Sequence, residues 1–174
     1  ERLGEIHDKD DEEDADEQYT HDLPQKDIEI ENVSFRYIGS EAHVFENLNL
    51  NIPYQKTTAI VGASGSGKTT LLKLLMKFYE PNQGEIRLGN TKLKNISPRF
   101  WRDRCGVVMQ EGYIFNDTIA NNIAVGEDYP DKQKLRKAVE IAHIKDFIEE
   151  LPLSYNTKIG NEGLGVSGGQ KQRF

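Results

Sequence analysis

The sequence predicts an α/β fold organised around a phosphate-binding loop, with a strand-rich half over residues 27–110 and a helical segment over 111–166. Three observations predict it. Gly62-Ala63-Ser64-Gly65-Ser66-Gly67-Lys68-Thr69 lies between a β-branched run, Thr57–Val61, and an apolar run with helical spacing, Thr70–Phe78. Apolar residues alternate with polar ones at 28–30, 33–37 and 45–52. Beyond residue 117 the apolar spacing lengthens to that of amphipathic helices.

The elements follow in order. Asp8 to Glu17 is almost wholly acidic, and that composition predicts a solvated linker rather than a calcium loop, which needs a central Gly and spaced ligands. Ile28-Glu29-Ile30 and Val33-Ser34-Phe35-Arg36-Tyr37 read as half-buried strand, and Phe45–Ile52 as a second strand. Pro53-Tyr54-Gln55-Lys56 turns the chain into Thr57–Val61, predicted to be a buried strand. The helix after the loop is apolar nearly all round, with Lys73 and Lys77 on one face, which predicts deep burial. Glu80–Gly84 is a turn and Glu85–Leu88 a short strand; Ser97-Pro98 opens a short helix with a cap and a proline at its first position. Cys105–Met109 reads as another buried strand, ending at Gln110.

In the second half, Asp117 is placed to cap a helix over Thr118–Ala124. Leu135, Ala138, Val139 and Ala142 share one face of a helix that begins near Asp131. Ile144, Phe147, Ile148 and Leu151 share a face of the next, which Pro152 stops. No internal repeat is present.

Length and composition bound the function. A chain of 174 residues accommodates one domain of ordinary size, and its single cysteine, Cys105, excludes an internal disulfide. No stretch approaches the eighteen or so apolar residues of a membrane span, so the chain reads as a soluble, cytoplasmic unit. Residues 1–22 hold eleven acids and two bases, while the remaining 152 hold 18 acids and 20 bases. An acidic leader on a nearly neutral domain, with no basic stripe, argues against nucleic acid as a partner. His7, His21, His43 and His143 have no metal-ligand spacing and read as ordinary residues.

The loop itself carries the chemistry. Small residues let successive backbone N–H groups curl round a phosphate, Lys68 reaches the β- and γ-phosphates, and the Thr69 hydroxyl suits Mg²⁺. The following helix points its N-terminus at the anion. These residues predict a nucleoside triphosphate site. A second glycine-containing motif is Val166-Ser167-Gly168-Gly169-Gln170, whose Ser167 lies 99 residues after Lys68. There Ser167 is placed to cap a helix, and the glycines let backbone N–H groups approach a phosphate.

That second motif resembles the signature of ATP-binding-cassette (ABC) ATPases, with Val166 where the family usually has Leu. Gln110 resembles the family's Q-loop glutamine, which helps ligate Mg²⁺. Tyr37, in Phe35-Arg36-Tyr37, resembles the aromatic that stacks on adenine; the alternative for it is a core aromatic at a strand end. Lys171-Gln172-Arg173 is also typical. The resemblance covers about residues 27–174 and implies a P-loop NTPase core with an antiparallel β subdomain and a helical subdomain at about 111–166. It implies domains at 1–22 (an acidic linker after a transmembrane domain) and 23–174 (a partial ATPase domain). It assigns ATP binding to Tyr37, the run Gly62-Ala63-Ser64-Gly65-Ser66-Gly67-Lys68-Thr69-Thr70, and Gln110. Mg²⁺ falls to Thr69 and Gln110, and the signature, Val166 to Gln170, acts on the ATP of a partner subunit.

Finer features resemble the exporter branch. Tyr113-Ile114-Phe115-Asn116-Asp117-Thr118-Ile119 and Asn121-Asn122-Ile123 are similar to the segment after the Q-loop in peptide, lipid and multidrug exporters. Thr157–Gly163 resembles the loop that meets their transmembrane coupling helices, with Lys158 and Asn161 in place of the usual glutamates. Glu1–Ile6 looks like the tail of a last transmembrane helix, and the nearest likeness is to bacterial bacteriocin or peptide exporters with an upstream peptidase. The resemblance implies an ATP-binding domain at the cytoplasmic face of a membrane, coupled to a transmembrane domain and paired head to tail with a second copy. The strand with the family's catalytic Glu and the later His are expected beyond Phe174; Glu111 and His143 precede the signature and are neither. The 174-residue chain is therefore expected to bind ATP without hydrolysing it. Two alternatives stay open: a non-transport ABC ATPase, which usually carries a long coiled coil where Gln110 and Ser167 are only 57 residues apart here, and a non-hydrolysing nucleotide-binding module.

Overall fold

The computed structural model describes residues 19–109, 112–127, 129–161 and 163–174. The chain forms two compact units, the first ending at Gly106 and the second running from Val107 to Phe174.

In the first unit, β1 (Ile28–Phe35), β2 (Phe45–Ile52), β3 (Gln83–Leu88) and β4 (Thr91–Lys92) form an antiparallel sheet in the order β2-β1-β3-β4. The break in alternation between Ile30 and Val33 is a bulge. Ile30 faces Leu50 but Val33 faces Leu48, so β1 carries one extra residue, and Asn32 takes it up at φ +52°. Gly84 lies hard against that bulge: a Cβ there would sit 2.3 Å from the Asn32 carbonyl oxygen. A second bulge sits in β2, where Asn47 has φ +54°. The bulges keep Ile30, Val33 and Phe35 all pointing into one core with Ile86, Leu88, Leu93, Ile96 and Trp101.

Against that sheet packs α1 (Lys68–Leu75), which buries Leu71 and Leu74. Each such leucine stabilises the fold by about 1.5–3 kcal/mol. The helix is not buried all round as its composition predicts. Leu72 is 43 % exposed and Phe78, beyond the helix, 50 %, because only one face meets the sheet. It ends in a Schellman turn: Phe78 N–H donates to Lys73 O (2.9 Å), Lys77 N–H to Leu74 O (3.0 Å), and Lys77 takes the left-handed position at φ +56°. Trp101 Nε1 donates to the Leu75 carbonyl at 2.7 Å, satisfying another helix-end acceptor.

Two predicted strands are corrected. Thr57–Val61 and Cys105–Met109 adopt neither strand nor helix. A strand exists only with a ladder partner, and neither run has one among the described residues, so Val61 and Val108 are left 89 % and 74 % exposed. Cys105 alone packs against the core, and burial raises its thiol pKa. The Ser97-Pro98 helix is present as α2 (Pro98–Arg102), with Ser97 Oγ accepting from Phe100 N–H at 3.1 Å. The tail of the acidic leader joins this unit: Thr20 forms a parallel bridge with Ile96, through Thr20 N–H to Asn95 O and Ser97 N–H to Thr20 O.

The second unit holds β5 (Asp117–Thr118), α3 (Ile119–Ile123), α4 (Lys132–Ile141), α5 (Lys145–Glu149), β6 (Lys158–Ile159) and α6 (Gly168–Lys171). Ile119, Val139, Ile144, Ile148 and Ile159 form its core. Asp117 is not the cap of α3. It pairs with Ile159 in a short ladder, and the next residue, Thr118, caps the helix by accepting from Asn121 N–H. Sequence cannot choose between adjacent Asp and Thr; in the fold the Asp117 carboxylate is taken up by Thr118 N–H and Asn121 Nδ2, which leaves the Asn121 N–H to Thr118 Oγ1. Asp131 caps α4, accepting from Gln133 and Lys134 N–H. Helix α4 ends in a second Schellman turn, with His143 left-handed at φ +52°.

Buried Asn122 has no partner in the sequence pattern but holds the chain ahead of α3. Its Oδ1 accepts from Phe115 N–H (2.7 Å), and its Nδ2 donates to the Phe115 and Thr118 carbonyls (both 3.0 Å). An amide supplies both donor and acceptor to backbone that would otherwise be unpaired.

Candidate functional site

Gly67 is the N-cap of α1 at φ +91°, a conformation that glycine alone adopts without strain. Space is equally decisive there: an added Cβ would lie 2.7 Å from the Phe45 ring and 2.9 Å from Val44 Cγ1. Phe45, at the start of β2, thus presses on the loop from the sheet. Gly65 (φ +79°) has open space round it, so conformation alone requires it. The first turn of α1 carries no side-chain cap, leaving its leading amides to be satisfied from outside the helix.

Lys68 folds over this loop. Its ammonium donates to Gly62 O (2.9 Å) and Ala63 O (2.7 Å), with Ser66 Oγ at 3.4 Å. Residues 62–70 contain no acid, so the positive end of the helix and the Lys68 charge face no competing carboxylate within the loop. Thr69 is exposed at the same turn, whereas Thr70 is buried. A hydroxyl oxygen such as that of Thr69 is the donor type a hard divalent cation takes. The arrangement is built to receive a polyphosphate.

Tyr37, just past the end of β1, is half-buried, and its hydroxyl lies 2.9 Å from Thr70 Oγ1. Its ring meets Phe35 edge-on (centroids 5.1 Å apart, 79° between planes) and Tyr79 at 90° (5.3 Å). The structure therefore brings Tyr37 to the phosphate-loop helix. Tyr79 and Phe45 were missed by the sequence reading, since neither belongs to a motif. The one available signal was that Phe45 stands at the start of an alternating strand and Tyr79 just beyond the loop's helix.

Gln110 lies outside the described residues. The signature belongs to the second unit. Ser167 and Gln170 form a reciprocal capping box, Ser167 Oγ accepting from Gln170 N–H (3.3 Å) and Gln170 Oε1 from Ser167 N–H (2.7 Å). Gly168 and Gly169 have nothing within 4 Å of an added Cβ, so their backbone is open to approach. Val166 packs on the second core. Tyr113 and Phe115 stack edge-on and stay exposed, and Gly160 (φ +109°) sits against the backbone of Asn116. Lys158, which stands where the resemblance expects a glutamate, helps lower the Asp117 pKa, after hydrogen bonds from Asn121 and Thr118.

The model of the family described as ABC transporter matches residues 45–174. The chain is 42 % identical over 148 residues to the ATP-dependent lipid A-core flippase of Haemophilus influenzae, covering 84 % of this chain and 25 % of that protein. It is 39 % identical over 153 residues to the transport/processing ATP-binding protein ComA of Streptococcus pneumoniae, covering 87 % and 21 % respectively. With ABC transporter B family member 13 of Arabidopsis thaliana it shares 43 % identity over 147 residues, 84 % of this chain and 12 % of that one. The chain thus spans between about an eighth and a quarter of the length of these relatives. A solved structure of a bacterial Atm1-family ABC exporter with ATP bound is similar at a TM-score of 0.86 and 32 % identity. That match covers 99 % of this chain and 30 % of that one.

Proposed function

The chain belongs to the ABC transporter family, and we propose that it is the ATP-binding domain of an exporter, coupling nucleotide binding and hydrolysis to movement of a substrate across a membrane. The observation that carries this reading is the phosphate loop: left-handed Gly67 at an uncapped helix start, with the Lys68 ammonium folded over the loop carbonyls. Relatives named as a lipid flippase, a transport/processing protein and a B-family transporter support an exporter over the non-transport ATPases.

In this reading the triphosphate takes the backbone amides of the loop and the first turn of α1, and Lys68 supplies a charge-assisted contact to its outer phosphates. Mg²⁺ would be held by the Thr69 hydroxyl together with Gln110, and would neutralise phosphate charge. The open glycines Gly168 and Gly169 would act on the ATP of a second, head-to-tail copy. Closure of such a pair is driven only by contacts made in the closed state, which is how ATP would do work on an attached transmembrane domain. A domain with that role sits at the cytoplasmic face of its membrane.

The test is a Mg·ATP titration of the chain and its Lys68→Ala variant, both shown folded by circular dichroism. The variant should bind at least about tenfold more weakly, since a charge-assisted contact is worth roughly 1.5–3 kcal/mol. Equal affinities would sink the assignment.

A further inference from the structure

We propose that Tyr79 is a positioning residue for the base: its ring, with the Thr70 hydroxyl, locks Tyr37 onto the phosphate-loop helix so that platform and loop form one rigid receptor. This rests on the nucleotide reading above and extends it to Tyr79, a residue outside every motif.

A hydrogen bond and two rings hold Tyr37, and the Lys73 ammonium of α1 lies over its ring, 6.0 Å from the centroid. Its hydroxyl meets Thr70 Oγ1 at 2.9 Å, in the first turn of α1. The Tyr79 ring stands perpendicular to it at 5.3 Å, and Phe35, 3 % exposed, closes the third side at 5.1 Å. Tyr79 also touches Phe35 at 5.7 Å, so the three rings form a closed triangle. The origin of these contacts along the chain is what matters. Thr70 lies at the start of α1, and Tyr79 follows the Schellman turn that ends it. The first turn of α1 and the residue just past its closing turn therefore both hold Tyr37, and the same helix presents the phosphate loop at its N-terminus. An aromatic held at its hydroxyl and by two neighbouring rings loses the freedom to swing about χ1. A base that stacks on it then meets a surface already at the right distance from the phosphates.

The lock predicts a signature that plain structural support does not. Tyr79→Leu in the full chain removes the perpendicular ring but keeps apolar bulk, and should weaken ATP about three- to tenfold while leaving inorganic triphosphate unchanged. Tyr79→Phe keeps the ring and should restore ATP affinity. With Tyr37 already changed to Ala, Tyr79→Leu should have no further effect on ATP. Isothermal titration with each ligand reads all of these, and Tyr79→Met serves if the leucine variant does not fold. Equal losses for ATP and triphosphate, or an additional loss in the Tyr37→Ala background, would show general loosening of the fold and overturn the proposal. So would an unchanged ATP affinity. Failure of the parent chain to bind ATP would remove the nucleotide reading itself and this one with it; binding by the parent with an indifferent Tyr79→Leu overturns this one alone.

Discussion

The hydroxyl of Tyr37 and the hydroxyl of Thr70, 33 residues apart in sequence, lie 2.9 Å from each other. One donates to the other, and Thr70 is only 7 % exposed, so water does not replace a lost partner easily. Tyr37→Phe and Thr70→Val should each cost about 0.5–1.5 kcal/mol in urea denaturation. The double variant should cost clearly less than the two together, because both remove the same bond. Additive costs would mean that the hydroxyls do not interact.

Gly67 and Gly65 separate conformation from space. Gly67→Ala meets both a left-handed backbone and the Phe45 ring, and should cost about 2–4 kcal/mol. Gly65→Ala meets open space, so only the backbone term of about 1–2 kcal/mol remains. Trimming Phe45 to Leu should recover part of the Gly67→Ala loss and none of the Gly65→Ala loss. Chemical denaturation of the four variants decides this.

Lys77 holds a position where glycine is the usual choice. Its φ of +56° strains any side chain, yet its ammonium donates to the carbonyls of Lys94 (3.1 Å) and Ile96. Lys77→Ala loses those bonds and keeps the strain; Lys77→Gly loses them and relieves it. The alanine variant should therefore be the less stable by about 1–2 kcal/mol. Equal stabilities would show that the backbone there relaxes when the lysine is removed.

Asn122 is predicted to be among the costliest single positions of the second unit. Asn122→Ala strips a partner from Phe115 N–H and from the carbonyls of Phe115 and Thr118 at a site 8 % exposed. The expected loss is about 2–4 kcal/mol. Asn122→Asp should be no better, since it keeps one acceptor, loses both donors and brings a charge inside. A mild effect in thermal melts would show that water reaches these groups.

Asp131 links stability to pH. Backbone hydrogen bonds from Lys134 and then Gln133 hold its carboxyl below the ordinary value of about 3.9. A carboxyl whose pKa is lower in the folded state contributes stability above that ordinary value, and the contribution is lost as pH falls through the folded pKa. Asparagine caps as well as aspartate but does not titrate. Asp131→Asn should match the parent near neutrality and lose less of its melting temperature on acidification to about pH 3. Identical losses would mean that the cap is not a source of acid sensitivity.

The sequence alone determined the phosphate loop, the helix that follows it, the capped starts at Ser97 and Ser167, the helix that begins near Asp131, and the family. These are local matters. A glycine needed for a left-handed turn, or a side chain reaching its own helix amides, is set by neighbours a few residues away. The break in alternation at Glu31-Asn32 was also visible, although only the pairing of Ile30 with Leu50 and Val33 with Leu48 made it a bulge. Pairing across the chain was beyond sequence. Thr57–Val61 and Cys105–Met109 have the composition of buried strands, but a strand is made by its neighbours, and among the described residues these two have none. Asp117 had the chemistry of a cap and lost the position to Thr118, its carboxylate being held instead by Thr118 N–H and the Asn121 amide. Tyr79 and Phe45 carry no motif, so their places beside Tyr37 and Gly67 were decided by the turn after α1 and the register of β2. Local chemistry wrote the site; long-range packing chose what holds it.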